Sequence, residues 1–145
     1  MCIRDRYPEI EGVTFLGGEP FEQAEPLAEL SSKLRDHDFS IMVFSGYTLS
    51  ELKDPQSTEY KSRLDLLASV DLLVDGRYQK ENIDTDRPWV GSKNQEFHFL
   101  TGRYSSETLF NSVRDGLEIK VLKSGEIQIN GWATDSQLEN LLEKL

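Results

Sequence analysis

The sequence predicts an α/β fold organised on a parallel β-sheet. Residues 13–16, 40–44 and 70–76 are short apolar segments whose β-branched and aromatic side chains are typical of buried strands. Each segment ends in a glycine-containing turn, and the segments between them have the length of helical crossovers. Since crossover connections join parallel strands, we expect the carboxyl ends of all three strands at one edge of the sheet.

Size and composition indicate one globular domain. At 145 residues, with 37% hydrophobic and 29% charged residues, the chain is long enough for one core. The formal net charge of −10 disfavours a nucleic-acid partner and an anionic membrane surface. No apolar run approaches the roughly 20 residues of a membrane span, and no secretory signal pattern is visible. These features and the single cysteine predict a cytoplasmic protein without a disulfide framework.

The first predicted strand leads into the turn Gly17-Gly18-Glu19-Pro20. Two glycines without Cβ atoms allow backbone groups to approach a ligand closely, and Glu19 adds a carboxylate at the end of the strand. An acid at this position, where phosphate sites have a lysine, favours a cationic group. The alternative is an ordinary strand-to-helix turn in which the glycines only ease the geometry and Glu19 is solvated.

The elements that follow are predicted from hydrophobic spacing. Residues 21–38 have apolar side chains at helical intervals, and Pro26 fits only in a first turn, so residues 21–25 form an irregular start. The strand at 40–44 is apolar without alternation, as expected when both of its faces are covered. Two further helices are predicted, at residues 49–53 and 58–69.

Polar and glycine residues end all three predicted strands. These residues are Gly17–Glu19, Ser45–Gly46 and Asp75–Gly76. Because parallel strands present their carboxyl ends together, we expect the three groups to line one shared site.

The remaining chain is predicted to be a long loop followed by a hairpin and a helix. Residues 77–103 are polar and irregular apart from a strand at 96–100, and loops of this length are usually functional or disordered. Residues 116–122 and 126–130 alternate apolar and polar side chains across a turn, which predicts a β-hairpin. A capping box at 134–137 opens a C-terminal helix.

Several kinds of site are not predicted. His37 and His98 share no metal-ligand spacing with each other or with Cys2, so no metal ligand is assigned. Asp84 and Asp86 are interpreted as solvated loop residues and not as an acid–base pair. No hydrolase elbow, phosphate loop or dinucleotide fingerprint is present in the sequence, and we assign no catalytic residue.

Four motifs in order resemble those of a known family. They are Gly17-Gly18-Glu19-Pro20-Phe21, Phe44-Ser45-Gly46-Tyr47-Thr48, Val74-Asp75-Gly76-Arg77-Tyr78 and Gly91-Ser92-Lys93-Asn94-Gln95. Their order and spacing are similar to those of the small radical S-adenosylmethionine (SAM) activating proteins of the anaerobic ribonucleoside-triphosphate reductase activase type, with pyruvate formate-lyase activating enzyme a more distant relative. The resemblance covers roughly residues 12–95.

The resemblance implies a fold, cofactors, partners and an activity. The fold is a partial (β/α) barrel, and the cofactors are SAM and a [4Fe-4S] cluster. The reduced cluster cleaves SAM to methionine and a 5′-deoxyadenosyl radical, which takes hydrogen from a glycine of a partner enzyme. The implied partners are a glycyl radical enzyme such as anaerobic ribonucleoside-triphosphate reductase and a flavodoxin- or ferredoxin-type reductant.

The resemblance also implies which residues bind the cofactor. Gly17, Gly18 and Glu19, with Pro20 completing the turn, would hold the methionine ammonium. Ser45, Gly46 and Asp75 would line the rest of the SAM site, with Asp75 near the ribose. The segment that includes Gly91, Ser92, Asn94 and Gln95 would close over the cofactor or face the partner.

One part of the family pattern is not present in this sequence. The family holds its cluster with a Cys-x3-Cys-x2-Cys loop, whereas this chain has one cysteine. We therefore expect a radical SAM core over residues 7–103 that lacks its first βα unit and is inactive alone, after a foreign leader at 1–6 and before an extension at 104–145. The alternative is a non-catalytic α/β module that binds a ligand or a protein.

Overall fold

The computed structural model describes residues 10–107 and 109, and the backbones of residues 118–121 and 127–130. The chain divides into two compact units, Met1–Phe110 and Asn111–Leu145. The larger unit contains, in order, β1 (Gly12–Phe15), a 3-10 helix (Pro20–Gln23), α1 (Ala24–Asp36), β2 (Ser40–Phe44), α2 (Leu49–Leu52), α3 (Tyr60–Leu67), β3 (Leu72–Asp75) and β4 (Glu96–Phe99).

The larger unit is built on a four-stranded mixed sheet in the order β1-β2-β3-β4. The first three strands are parallel, as the sequence predicts, with Val13 beside Ile41 and Val43 beside Leu73. The fourth strand is antiparallel to β3. The barrel implied by the family resemblance is not confirmed, because the described strands form an open sheet whose edges are β1 and β4.

The prediction that the first strand is buried is wrong. Val13 and Phe15 are half-buried, Thr14 is exposed, and Leu16, one residue beyond the strand, is 68% exposed. The physical reason is the position of β1 at an edge, where it pairs only with β2 among the described residues. The central strand β3, by contrast, is buried at all four residues.

The helices are close to their predicted positions. The irregular start is confirmed as the 3-10 helix, and Pro26 lies in the first turn of α1, where its missing N–H costs no hydrogen bond. Helices α1 and α3 pack against each other, and α1 contacts β2. The core between helices and sheet consists of Phe21, Ala24, Ile41, Val43, Leu52, Leu66, Leu67, Val70 and Leu73.

The end of the sheet where the parallel strands begin is held together by the side chain of Asp71, which is 1% exposed. Its two oxygens accept hydrogen bonds from the Ile41 amide at 2.9 Å, the Thr101 hydroxyl at 2.7 Å and the Arg35 guanidinium at 3.1 Å. Burial opposes ionisation, yet these hydrogen bonds and the Arg35 charge hold the pKa of Asp71 below its ordinary value. We call these four residues the amino edge.

The smaller unit contains β5 (Glu118–Val121) and β6 (Ile127–Asn130), paired antiparallel with Ile119 opposite Ile129. The predicted hairpin strands are thereby confirmed. The predicted C-terminal helix at 134–145 lies outside the described residues. Within the part of the chain that the structure describes, no helix is long and apolar enough to cross a membrane.

Candidate functional site

The turn after β1 has the backbone conformation that its glycines predict. Gly17 and Gly18 have φ angles of 82° and 55°, a region that side chains other than glycine rarely adopt. Nothing lies within 4 Å of a Cβ placed on Gly17. Glu19 then caps the 3-10 helix by accepting the amide of Phe21 at 3.1 Å.

The carboxylate of Glu19 joins the ends of two neighbouring strands. The Ser45 hydroxyl donates to Glu19 Oε1 at 2.8 Å, and the Gly46 amide donates to Oε2 at 2.8 Å. The interpretation of Glu19 as a freely solvated residue is therefore wrong. A carboxylate can accept about four hydrogen bonds, so the three donors Phe21, Ser45 and Gly46 orient the group and leave capacity for about one more from a ligand.

Asp75, at the end of β3, is buried and bonded to a different set of residues. Its Oδ2 accepts the Leu49 amide at the start of α2 at 2.6 Å. The Nε2 of His98 lies 2.9 Å from the same oxygen, although without the alignment of a hydrogen bond. The described hydrogen bonds do not link Asp75 to Glu19.

His98 has no role predicted from the sequence. The register places Glu96 opposite Asp75 and His98 opposite Leu73, so that one ligand atom from each of Asp75, Glu96 and His98 lies within 4.8 Å of the others. Two carboxylates and an imidazole are chemically suited to a divalent cation. In the sequence, the only indication of this group was the alternation of side chains in the predicted strand at 96–100. The alternation identifies the group only once the strand is known to pair antiparallel with β3.

The predicted binding segment at residues 91–95 is hydrogen-bonded to the end of β3. The side-chain amide of Gln95 donates to the Gly76 carbonyl at 3.0 Å, while its oxygen accepts the amides of Gly91 at 2.8 Å and Ser92 at 3.1 Å. Ser92 is fully buried, and its hydroxyl accepts the Gln79 amide at 3.0 Å. Ser92 and Gln95 therefore stabilise the conformation of this loop.

Asn94 links the same segment to the chain after β3. Its Nδ2 donates to the Arg77 carbonyl at 2.8 Å, and its Oδ1 is buried without a hydrogen-bond partner among the described residues. Gly76 has a φ of 95°, which turns the chain from β3 toward Arg77. Arg77 has no role predicted from the sequence.

Asp84 is a buried structural residue, so its interpretation as a solvated loop residue is wrong. It is 8% exposed and accepts the Asp86 amide at 2.9 Å and the Arg87 amide at 3.0 Å. The Arg87 side chain donates at 2.6 Å, and these bonds lower the pKa of Asp84 to about 2. Arg87 also donates to the Gln95 carbonyl at 2.9 Å and so ties both ends of the loop together.

We call the residues after the three parallel strands the carboxyl edge: Gly17–Glu19, Ser45–Gly46 and Asp75–Arg77. The structure brings Glu19, Ser45 and Gly46 into direct contact and places Arg77 beside Gly46. This edge has the negative carboxylate of Glu19, glycines with positive φ angles and the exposed side chain of Arg77. It is suited to a small ligand that has both a positive and a negative group.

The residues of this chain do not fit a [4Fe-4S] cluster. Such a cluster is held by several cysteine thiolates, and the sequence contains one cysteine, Cys2, outside the described residues. Nor do the described residues provide another soft ligand at the carboxyl edge, since its side chains offer only oxygen and nitrogen atoms.

Comparison with known proteins supplies named relatives. The chain is 34% identical to an anaerobic ribonucleoside-triphosphate reductase-activating protein of Vibrio cholerae over 103 residues, covering 68% of this chain and 62% of the relative. It is 33% identical over 90 residues to the protein of that name from Enterobacteria phage T4, covering 59% and 51%, and 30% identical over 100 residues to that of Haemophilus influenzae, covering 66% and 60%. The chain thus spans less than two thirds of the length of these relatives.

No solved structure matches the chain significantly.

The family assignment comes from a match to a family model. Residues 2–98 match the family model described as the 4Fe-4S single cluster domain, a match that begins within the segment 1–6, whose foreign origin stays a prediction. This range contains all four motifs on which the resemblance was based. The chain therefore belongs to the 4Fe-4S single cluster domain family.

Proposed function

We propose that this chain is the SAM-binding part of an activating protein for anaerobic ribonucleoside-triphosphate reductase. The observation that carries the proposal is the Glu19 carboxylate, fixed by Ser45 and Gly46 beside two open glycines at the carboxyl edge. The names of the relatives give the class of partner, because each is an activating protein for that reductase.

In this proposal the amino-acid end of SAM binds at the first turn. Its ammonium donates to Glu19 and to the backbone carbonyls of Gly17 and Gly18. The hydrogen bonds from Ser45 and Gly46 hold the carboxylate in one orientation, so little side-chain entropy is lost when the ligand binds. A charge-assisted contact of this kind contributes about 1.5–3 kcal/mol.

The other predicted binding residues have supporting roles in the proposal. Asp75 would approach the ribose, although its Oδ2 already accepts the Leu49 amide and lies close to Nε2 of His98. Asn94 would offer its unpartnered buried oxygen to a donor of the ligand. Gly91, Ser92 and Gln95 would keep this loop in place, and the segment would then cover the cofactor or face the reductase.

The activity proposed for the complete protein is that of a radical SAM glycyl radical enzyme activase. A cluster held in the complete protein would supply the electron for reductive cleavage of SAM. The present residues do not include its ligands, so this chain contributes SAM binding and no electron transfer. The implied reductant, a flavodoxin or ferredoxin, and the glycine of the partner belong to the same proposal.

The second candidate is a non-catalytic α/β module that binds a ligand or a protein. The single cysteine is the observation that favours it. The DNA upstream of the codon for Met1 separates the two candidates. An in-frame Cys-x3-Cys-x2-Cys segment there supports the activase, whereas a native start at Tyr7 would contradict it.

Isothermal titration of the full chain with SAM tests the binding proposal. The matched control ligand is 5′-methylthioadenosine, which keeps the nucleoside and the thioether but lacks the amino-acid end. We expect SAM to bind at least about tenfold more tightly, because only SAM reaches Glu19. Absence of SAM binding, or equal binding of the two ligands, would overturn the proposal.

A further inference from the structure

Two acidic side chains lie directly opposite each other where β3 pairs with β4. The register sets Asp75 against Glu96, and the side chains of an opposed pair project from the same face of the sheet. Like charges in this arrangement repel each other and destabilise a sheet. No lysine or arginine within residues 10–107 forms an ion pair with either carboxylate. The pair therefore attracts a cation.

His98 adds a nitrogen atom on the same face. It follows Glu96 by two residues in β4, and alternate residues of a strand project to the same side. Its Nε2 lies 2.9 Å from Oδ2 of Asp75, yet this nitrogen is buried and makes no hydrogen bond among the described residues. An imidazolium that paired with the carboxylate would direct its N–H at the oxygen, so the geometry disfavours a simple ion pair.

The separation of these two atoms matches that of neighbouring ligands of one metal ion. Bonds from a divalent transition metal to imidazole nitrogen and carboxylate oxygen are about 2.0–2.2 Å long, which places adjacent ligand atoms roughly 3 Å apart. One ligand atom from each of Asp75, Glu96 and His98 lies within 4.8 Å of the others. Glu96 is exposed, so rotation of its side chain can bring its oxygen to bonding distance.

The protein orients Asp75 for this role. Its side chain is 6% exposed, and its Oδ2 accepts the Leu49 amide at 2.6 Å. No hydrogen bond to its Oδ1 is described within residues 10–107. Carboxylates that bind metals are typically hydrogen-bonded by a neighbouring group, which fixes their orientation. Asp75 thus has the fixed position of a metal ligand and keeps lone pairs for the ion.

We propose that Asp75, Glu96 and His98 bind one divalent transition-metal ion such as Zn²⁺. Two carboxylates and an imidazole suit such an ion better than Mg²⁺, which prefers oxygen ligands and retains its bound water. The site is separate from an iron–sulfur cluster, whose ligands are thiolates. It contains none of the residues that fix Glu19, so it does not depend on the proposed binding of SAM at that carboxylate.

The bound ion closes the base of the loop at residues 76–95. Asp75 is the last residue of β3 and Glu96 is the first residue of β4, so one ligand stands at each end of this loop. The ion also joins the buried strand β3 to the antiparallel edge strand β4. Metal binding therefore stabilises the sheet and the loop together.

Isothermal titration of the full chain with Zn²⁺, after removal of metal with EDTA, tests the site. We expect one ion per chain. His98→Gln and Glu96→Gln should each weaken binding at least about tenfold, because even residues that only orient a metal ligand have effects of this size. His37→Gln and Cys2→Ser, which remove the other histidine and the single thiol, are matched controls and should keep full affinity. Absence of Zn²⁺ binding, or full affinity in His98→Gln, would overturn the proposal.

Nuclear magnetic resonance of the histidine rings locates the ion. The chain has two histidines, so the long-range ¹H–¹⁵N spectrum contains two sets of ring signals, and His37→Gln assigns them. We expect Zn²⁺ to shift the Nε2 signal of His98 and to leave the ring of His37 unchanged. Shifts confined to His37 would refute the site.

Thermal melting distinguishes a metal ligand from a purely structural residue. Without metal, Glu96→Gln removes the repulsion between the opposed carboxylates, so its melting temperature should equal or exceed that of the unaltered chain. With Zn²⁺ at about a hundredfold excess over its Kd, the unaltered chain should become the more stable, because an ion that binds only the folded state stabilises it. A melting temperature of the unaltered chain that does not respond to Zn²⁺ would contradict the proposal and leave SAM binding at Glu19 standing.

Discussion

The two ends of the sheet use carboxylates for different purposes. At the amino edge, Asp71 is buried and its oxygens are occupied by Arg35, Ile41 and Thr101. At the carboxyl edge, Glu19 also accepts three hydrogen bonds, from Phe21, Ser45 and Gly46, but it is only half-buried and so stays accessible. A satisfied buried charge fixes the strands relative to each other, whereas an oriented and accessible charge can bind a ligand. This division of stability and function between the two ends is the general rule in parallel α/β sheets.

The two edges also differ in backbone conformation. The carboxyl edge contains three glycines with positive φ, namely Gly17, Gly18 and Gly76. The amino edge uses ordinary residues in regular hydrogen bonds, such as the Asp71 amide to the Ile41 carbonyl at 2.8 Å. Glycine adopts these angles without strain. At the opposite end of the sheet, just before β2, the non-glycine residue Asp38 has a φ of 61°.

The largest expected effect is on stability, from Asp71→Asn. Removing the charge leaves Arg35 without its ion-pair partner and weakens three hydrogen bonds, so we expect a loss of about 3–5 kcal/mol in the free energy of unfolding. Urea denaturation followed by circular dichroism measures it. Thr101→Val, which removes one donor, should cost about 1–2 kcal/mol, so that the network can be assessed even if the first variant does not fold. A loss below 1 kcal/mol for Asp71→Asn would contradict the role of this edge.

The next effect is on binding, from Glu19→Gln. The substitution keeps the size of the side chain but removes its charge, and we expect SAM binding to weaken by about 1–3 kcal/mol. Glu22→Gln removes a neighbouring exposed charge and is the control. Isothermal titration of both variants measures the difference. Equal SAM affinities in the two variants would show that Glu19 does not contact the ammonium.

A smaller effect is expected from Gly76→Ala. The alanine must adopt a φ of 95°, and its Cβ would lie 3.4 Å from the Asn94 side chain, so we expect a loss of about 1–2 kcal/mol in unfolding free energy. Gly102→Ala, with no neighbour within 4 Å, should be close to neutral. Thermal melting of the two variants makes the comparison. Equal melting temperatures would show that the turn after β3 is not conformationally restricted.

The smallest effect concerns the loop that borders the carboxyl edge, and it depends on pH. The folded pKa of Asp84 is about 2, below its ordinary value of 3.8. A depressed pKa means that the contribution of Asp84 to stability is complete above about pH 4 and is lost as the pH falls through about 2. We expect the stability difference between the unaltered chain and Asp84→Asn to shrink over this range. A difference that stays constant from pH 5 to pH 2 would disprove the Asp84–Arg87 contact.

Much of the fold could be predicted from the sequence because local patterns were strong. The strands at 40–44 and 96–100, the early proline of α1 and the parallel order all follow from spacing and turn chemistry. The exposure of β1 does not follow from its own apolar residues, because burial depends on how many neighbours a strand has in the sheet. The partial barrel was an expectation from the family resemblance and is not confirmed.

The candidate site was only partly predictable. The meeting of Glu19 with Ser45 and Gly46 followed from parallel strand order. The contact of His98 with Asp75 required the register of an antiparallel strand that returns after a long loop. Arg77 was missed because an exposed arginine after a glycine has no sequence signal of its own. Its position is known only from the structure, which places its side chain beside Gly46.

A titration of the 15N-labelled chain with SAM, followed by amide chemical shifts, tests the contrast between the two edges most directly. We predict that the amides of Gly17, Gly18, Gly46 and Arg77 shift with a single binding curve. The amides of Ile41, Asp71 and Thr101 should stay in place. Shifts concentrated at the amino edge, or no saturable shift at the carboxyl edge, would contradict the claim that the carboxyl edge binds SAM.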